Sequence, residues 1–95
     1  MAPMIQSFKC KDTQALFETG RSRRFQTIEL VATRKLAQLA AATTLEFLRS
    51  PPGNQLERLA GDRKGQYSIR INRQWRVCFV WTDQGPANVE IVDYH

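Results

Sequence analysis

Ninety-five residues with 42% hydrophobic content suffice for one core between two layers of secondary structure, and exclude a disordered chain. Fourteen Lys and Arg against nine Asp and Glu leave a net charge of +5, and ten of the cations are arginine, the side chain suited to bidentate phosphate contacts. Two cysteines outside any CxxC spacing and a single histidine argue against a disulfide framework or a zinc site; no apolar run reaches membrane-spanning length, and a signal-peptide core is lacking, so a reducing cytoplasm is expected.

A single domain over residues 1–95 is expected, with Met1-Ala2-Pro3 as a leader and a first strand at Met4-Ile5-Gln6-Ser7-Phe8. Asp12 is a suitable N-cap for a short first helix carrying Ala15, Leu16 and Phe17, which Gly20 ends. A basic turn follows with Arg21, Arg23 and Arg24. From Thr27 to Ala42 the spacing predicts a second helix: Ile28, Val31, Ala32, Leu36 and Leu39 fall on one face. Thr43 to Asp62 reads as loop, with a last helical turn at Leu45-Glu46-Phe47-Leu48 broken by Pro51-Pro52-Gly53-Asn54. Leu56 and Leu59 anchor this connection, and Gly61-Asp62-Arg63-Lys64-Gly65 is a cationic turn between two glycines.

The final third alternates as antiparallel sheet. Tyr67, Ile69 and Ile71 form one apolar face, and Trp75, Val77, Phe79 and Trp81 another. A three-residue loop, Asn72-Arg73-Gln74, pairs Ile71 with Trp75, Ile69 with Val77 and Tyr67 with Phe79, whereas a two-residue loop mixes core and solvent faces. Register follows the buried face, so the three-residue loop is expected. It sets Arg70 directly opposite Arg76, a like-charge pair that needs an acidic neighbour or an anionic ligand. A five-residue loop from Thr82 to Pro86 then places Phe79 against Val89 and Val77 against Ile91, with Arg76 diagonal to both Glu90 and Tyr94 and Glu90 as the candidate acidic neighbour, the alternative to an anionic ligand.

The chain ends Asp93-Tyr94-His95, an acid, a phenol and the sole imidazole. An imidazole exchanges protons near neutral pH, and guanidinium groups stabilise charge building on a phosphate. Arg70, Arg76 and Tyr94 share the non-core face of the sheet, with His95 at its edge and Arg63 and Lys64 entering from the preceding turn. RNA can be cut by its own 2′-hydroxyl attacking the adjacent phosphorus, given a base, an acid for the 5′-oxygen and cations. His95 is the candidate acid or base and Arg76 the electrostatic stabiliser. Tyr94 would stack on a base or position a phosphate, and Asp93, which the ladder points coreward, would orient His95 or accept a proton. The scheme calls for no cofactor and no metal.

The order strand, two helices, antiparallel sheet, together with Gly61-Asp62-Arg63, Tyr67-Ser68-Ile69-Arg70-Ile71-Asn72, Gln74-Trp75-Arg76 and the terminal Asp93-Tyr94-His95, resembles the HigB toxins of the RelE/ParE superfamily. Arg49-Ser50-Pro51-Pro52-Gly53-Asn54 and Val89-Glu90-Ile91-Val92 extend the likeness from about Met4 to the C-terminus. The resemblance implies an α+β RelE-like fold, with an N-terminal strand and two helices packed on one face of a small, mainly antiparallel twisted sheet. It implies a toxin that cuts messenger RNA in the ribosomal A site and is silenced by a HigA-type helix-turn-helix antitoxin, meeting DNA only through that complex. It carries active-site roles onto Arg76, Asp93, Tyr94 and His95. Where relatives have a histidine or lysine before the Gly-Asp-Arg turn, this chain has Glu57 and Ala60. Those roles do not transfer, and Arg58, Arg63, Lys64, Arg70 and Arg73 are the cations left to bind RNA phosphates.

Two other readings compete: a ParE-like toxin that binds DNA gyrase without cleavage, and a basic RNA- or ribosome-binding module without chemistry. The terminal Asp93-Tyr94-His95 weighs against the first; the second is separated by variants, since under it His95→Ala leaves growth arrest unchanged and Arg76→Ala weakens binding. An antitoxin has two docking areas to choose from, the outer faces of the helices or an open sheet edge. The helical side leaves the arginine face free and is the one expected.

Overall fold

The structure, a computed structural model, describes residues 4–50 and 52–93. Helix α1 spans Lys11–Thr19 and α2 Glu29–Ala41; strands β1 (Glu57–Arg58), β2 (Gln66–Arg70), β3 (Trp75–Thr82) and β4 (Gly85–Asp93) follow, forming one antiparallel sheet in the order β1-β2-β3-β4. Both helices lie on one face. Leu16, Phe25, Ile28, Ala32, Leu36 and Leu39 meet Ile69, Ile71, Val77, Phe79, Val89 and Ile91 in a single buried cluster. The α+β architecture is the expected one.

Gly20 ends α1 in the left-handed region (φ 77), its N–H donating to Leu16 O at 2.8 Å, a backbone geometry that glycine adopts without Cβ strain. The start of α1 differs from expectation. Its N-cap is Cys10, and Asp12 lies inside the first turn, where its carboxylate still favours the helix dipole and stands 3.5 Å from Arg24. Helix α2 is preceded by a 3₁₀ turn at Gln26–Ile28, so the predicted span begins in tighter geometry. Leu45–Arg49 forms a separate 3₁₀ segment, capped by the Thr44 hydroxyl accepting from Phe47 N at 3.2 Å.

The predicted first strand is replaced by an extended segment that touches β4 at one parallel bridge, Phe8 with Val89. Lys9 N donates to Val89 O and Val89 N to Ser7 O, while Ile91 N donates to the buried Thr13 hydroxyl at 3.0 Å. The outer edge of β4 is therefore occupied where strand addition by a partner would need it.

The β2–β3 register matches the three-residue-loop reading throughout: Tyr67 with Phe79, Ile69 with Val77, Arg70 with Arg76. Asn72 Oδ1 accepts from Gln74 N and Trp75 N, each at 2.9 Å, and so closes the loop. The last hairpin differs. Thr82 pairs with Gly85, leaving a two-residue loop, Asp83-Gln84, in place of five. The register slips by one residue between Cys78 and Val80, where Asn88 and Val89 together oppose Phe79 and Asn88 takes φ 52. Beyond that bulge Val77 pairs with Ile91 and Arg76 with Val92, as predicted.

Candidate active site

Strand alternation puts Ser68, Arg70, Arg76, Cys78 and Glu90 on the face away from the helices. That face is not open. The connection before β2 folds back onto it, and Arg76 retains only 8% of its side-chain exposure. Its guanidinium is held along its length: Nε donates to Ser68 Oγ at 2.7 Å and Nη2 to Gln55 O at 2.5 Å. Nη1 lies 3.8 Å from the Glu57 carboxylate, which is half-exposed on β1. A buried charge is tolerated only when hydrogen-bonded and neutralised, and these groups do both. Arg76 thus faces the polar side of the sheet, fixed in orientation, and is shielded rather than spread across open surface.

The predicted acidic neighbour was Glu90; the carboxylate at Arg76 Nη1 is that of Glu57. Glu90 is held by Arg63 Nη1 at 3.1 Å and Lys9 Nζ at 3.6 Å. Arg63 also donates to Gln66 Oε1 at 3.2 Å, so this cation belongs to a structural ion cluster as well as to the site's rim. Beside it the buried Cys78 thiol is pushed to a higher pKa by burial, against the pull of Arg63 and Arg76 and with the push of Glu90.

Arg70 stands opposite Arg76 but donates from Nε to Asn72 O at 3.1 Å, towards the hairpin tip, where Arg73 is exposed. Arg58 lies on the other side of β1. It donates to the Tyr67 hydroxyl at 3.3 Å, a bond that raises its pKa, and its guanidinium lies 5.8 Å from the Tyr67 ring centroid. With Lys64, Leu59 and Gly65 these two residues line a cleft of about 230 Å³. Asp93 pairs in register with Trp75 and accepts from Gln74 Nε2 at 3.0 Å; its carboxylate is exposed at the end of the sheet. Tyr94 and His95 lie outside the described residues.

Of the predicted cations, Arg63, Arg70 and Arg76 share one side of the sheet, while Arg58 and Lys64 meet at its β1 edge. Sequence reasoning missed Ser68, Gln55 and Glu57 as the groups that hold Arg76. Ser68 was within reach of the ladder argument, because it is the diagonal neighbour of Arg76 on the same face. Gln55 carries no such signal, since its backbone carbonyl is what matters.

A larger cleft, about 830 Å³, lies on the helical side, lined by Gly20, Arg21, Glu29, Leu30, Thr33 and Arg34, with Leu30 80% exposed at its rim. Among the described residues no helix is long and apolar enough to cross a membrane.

The model of a family described as RelE-like toxin of type II toxin-antitoxin system HigB matches residues 6–95. The chain is 42% identical over 94 residues to Toxin HigB-1 of Vibrio cholerae serotype O1, covering 97% of this chain and 98% of that protein. It is 32% identical over 94 residues to Endoribonuclease HigB of Proteus vulgaris, covering 97% and 100%.

Proposed function

The chain belongs to the RelE-like HigB toxins of type II toxin–antitoxin systems, and from that membership we propose that it is an endoribonuclease cutting messenger RNA on the ribosome. The reaction is attack of a 2′-hydroxyl on the adjacent phosphorus: the new O2′–P bond forms, the P–O5′ bond breaks, a base takes the hydroxyl proton and an acid gives one to the 5′-oxygen. Arg76 stabilises the charge that develops on the non-bridging oxygens. His95 moves the protons, Asp93 orients it and Tyr94 stacks on a base. Arg70 and Arg73 at the hairpin tip, and Arg58, Arg63 and Lys64 near β1, follow the RNA backbone.

The observation that carries this reading is the Arg76 guanidinium, fixed by Ser68 and Gln55 while Nη1 faces a carboxylate at the long distance of 3.8 Å. A phosphate oxygen takes the place of the Glu57 carboxylate there while Ser68 Oγ and Gln55 O keep their bonds. Such preorganised donors are effective because they need no reorientation when charge develops.

Membership of the family brings a cognate antitoxin; the HigA-type helix-turn-helix protein is our reading of it, and the cytoplasm the shared compartment. The helical cleft suits its docking, since Arg21 and Arg34 beside the exposed Leu30 would take an acidic segment with an aliphatic anchor, and the β4 edge is already occupied.

Primer extension on a message translated by purified ribosomes tests the activity. Wild type is expected to leave discrete cuts, and His95→Ala to lose them while still co-sedimenting with ribosomes. Intact messages with wild type, accompanied by arrest of replication, would point to gyrase binding and end the nuclease reading.

A further inference from the structure

We propose that Asn54 is the positioning residue for Arg76, anchoring the backbone that aims its guanidinium; the catalytic meaning of this rests on the nuclease reading above. Asn54 ends a 3₁₀ turn at Pro52–Asn54 and is completely buried, an unusual place for an asparagine. Its amide is fully engaged. Oδ1 accepts from Lys35 Nζ, and Nδ2 donates to Gln38 Oε1 at 3.2 Å and to Leu48 O at 3.1 Å. Two of those partners are on α2 and the third closes the preceding turn, so one side chain ties the connection to the helical layer.

The next residue shows what this tie holds in place. Gln55 has φ 44, in the left-handed region that a residue with a long side chain rarely occupies, and it persists only where its surroundings enforce it. In that conformation Gln55 O meets Arg76 Nη2 at 2.5 Å. Two residues later Glu57 enters β1 opposite Ser68, bringing its carboxylate to Arg76 Nη1 while Ser68 Oγ takes Nε. The orientation of the guanidinium plane is thereby set by a connection whose buried anchor is Asn54. The partly buried Lys35 ammonium, whose pKa desolvation lowers with help from Arg34, finds an acceptor in the same amide.

Small displacements of a charge-stabilising group are costly in rate, on the order of 10²-fold for about 1 Å. Asn54→Ala is therefore expected to lower kcat in single-turnover cleavage by roughly 10–100-fold, with KM within about twofold. Gln55→Gly removes the φ strain and so weakens the need for the anchor. The double variant Asn54→Ala/Gln55→Gly should recover most of the lost rate, which a cavity or general loosening of the fold would not permit.

An activity-independent readout is the Arg76 Nε–H in ¹H–¹⁵N spectra of the full chain. It is expected to be resolved and slowly exchanging in wild type, to merge with solvent-exposed arginines in Asn54→Ala, and to return in the double variant. If Asn54→Ala does not fold, Gln38→Ala removes one anchor and should broaden or shift the same resonance. An unchanged Arg76 Nε–H in a folded Asn54→Ala or Gln38→Ala protein overturns the proposal, as does a loss of thermal stability with kcat intact. Should wild type fail to cut RNA, the nuclease reading falls while the spectra still decide whether Asn54 positions Arg76.

Discussion

Arg70 and Arg76 face each other across β2 and β3, and their side chains are drawn in opposite directions along the strands: Arg76 back to Ser68 and Gln55, Arg70 forward to Asn72 at the hairpin tip. Repulsion between paired like charges thus parts two guanidinium groups that share a face. One becomes a fixed internal donor and the other a half-exposed one at the rim.

From that division Arg70→Ala is expected to be neutral to stability or to raise it by up to about 0.5 kcal/mol, since it removes the opposed charge and only a part-exposed bond. Its effect on cleavage should appear in KM, with kcat nearly unchanged. Urea unfolding and saturation kinetics check the two halves, and a large fall in kcat would move Arg70 into the reacting centre.

Arg76→Lys keeps the charge and loses the fork. One ammonium cannot reach Ser68 Oγ, Gln55 O and the carboxylate of Glu57 with the geometry of a planar guanidinium, and each buried acceptor left unpaired costs about 1–3 kcal/mol. Cleavage is expected to fall by roughly 10²–10³ in kcat, the usual effect of losing one preorganised donor. Single-turnover assays at a temperature where the variant remains folded separate this from instability. Retention of wild-type kcat would remove Arg76 from the mechanism.

The β2–β3 register, and with it the Arg70–Arg76 opposition, was legible because alternation has a period of two and only one loop length keeps Ile69, Ile71, Val77 and Phe79 on a common face. The β3–β4 turn was misread because an extra residue at Asn88, in a positive-φ conformation, restores the register after a shorter loop. No apolar pattern marks such a bulge. The setting of Arg76 was hidden for another reason: its bond to Gln55 joins residues 21 apart and uses a backbone carbonyl in a segment with no periodicity. Asn54 reads in sequence as a turn former after Pro-Pro-Gly, and only packing shows it buried against α2. The terminal Tyr94 and His95 were the strongest chemical signal in the chain, and they lie outside the described residues.

Glu57 brings its half-exposed carboxylate to 3.8 Å from Arg76 Nη1, where it competes with phosphate for the guanidinium. Glu57→Gln is expected to lower KM several-fold without changing kcat, and to alter stability by less than about 1 kcal/mol because the pair is long and half-exposed. Steady-state kinetics on a translated message provide the check. A fall in kcat instead would make Glu57 a proton acceptor.

Cys78 offers a test of burial on the site's face by pH. Its thiol is fully buried, and desolvation raises its pKa above the ordinary value of 9.0. In the unfolded chain the thiol ionises near its ordinary value, so above it the native state holds a proton that the unfolded state has lost. The contribution of Cys78 to stability is therefore fully present below pH 9.0 and is lost as pH rises through the higher folded pKa. Urea unfolding of wild type and Cys78→Ala should give parallel stabilities up to that pH. Above it wild type should fall faster, by at most about 1.4 kcal/mol per pH unit. Alkylation follows the same logic: at neutral pH the partly exposed Cys10 should react in the native protein and Cys78 only after unfolding. Rapid native labelling of Cys78 would mean that the connection from Asn54 to Arg63 does not close over this face in solution, and the shielding of Arg76 would fail with it.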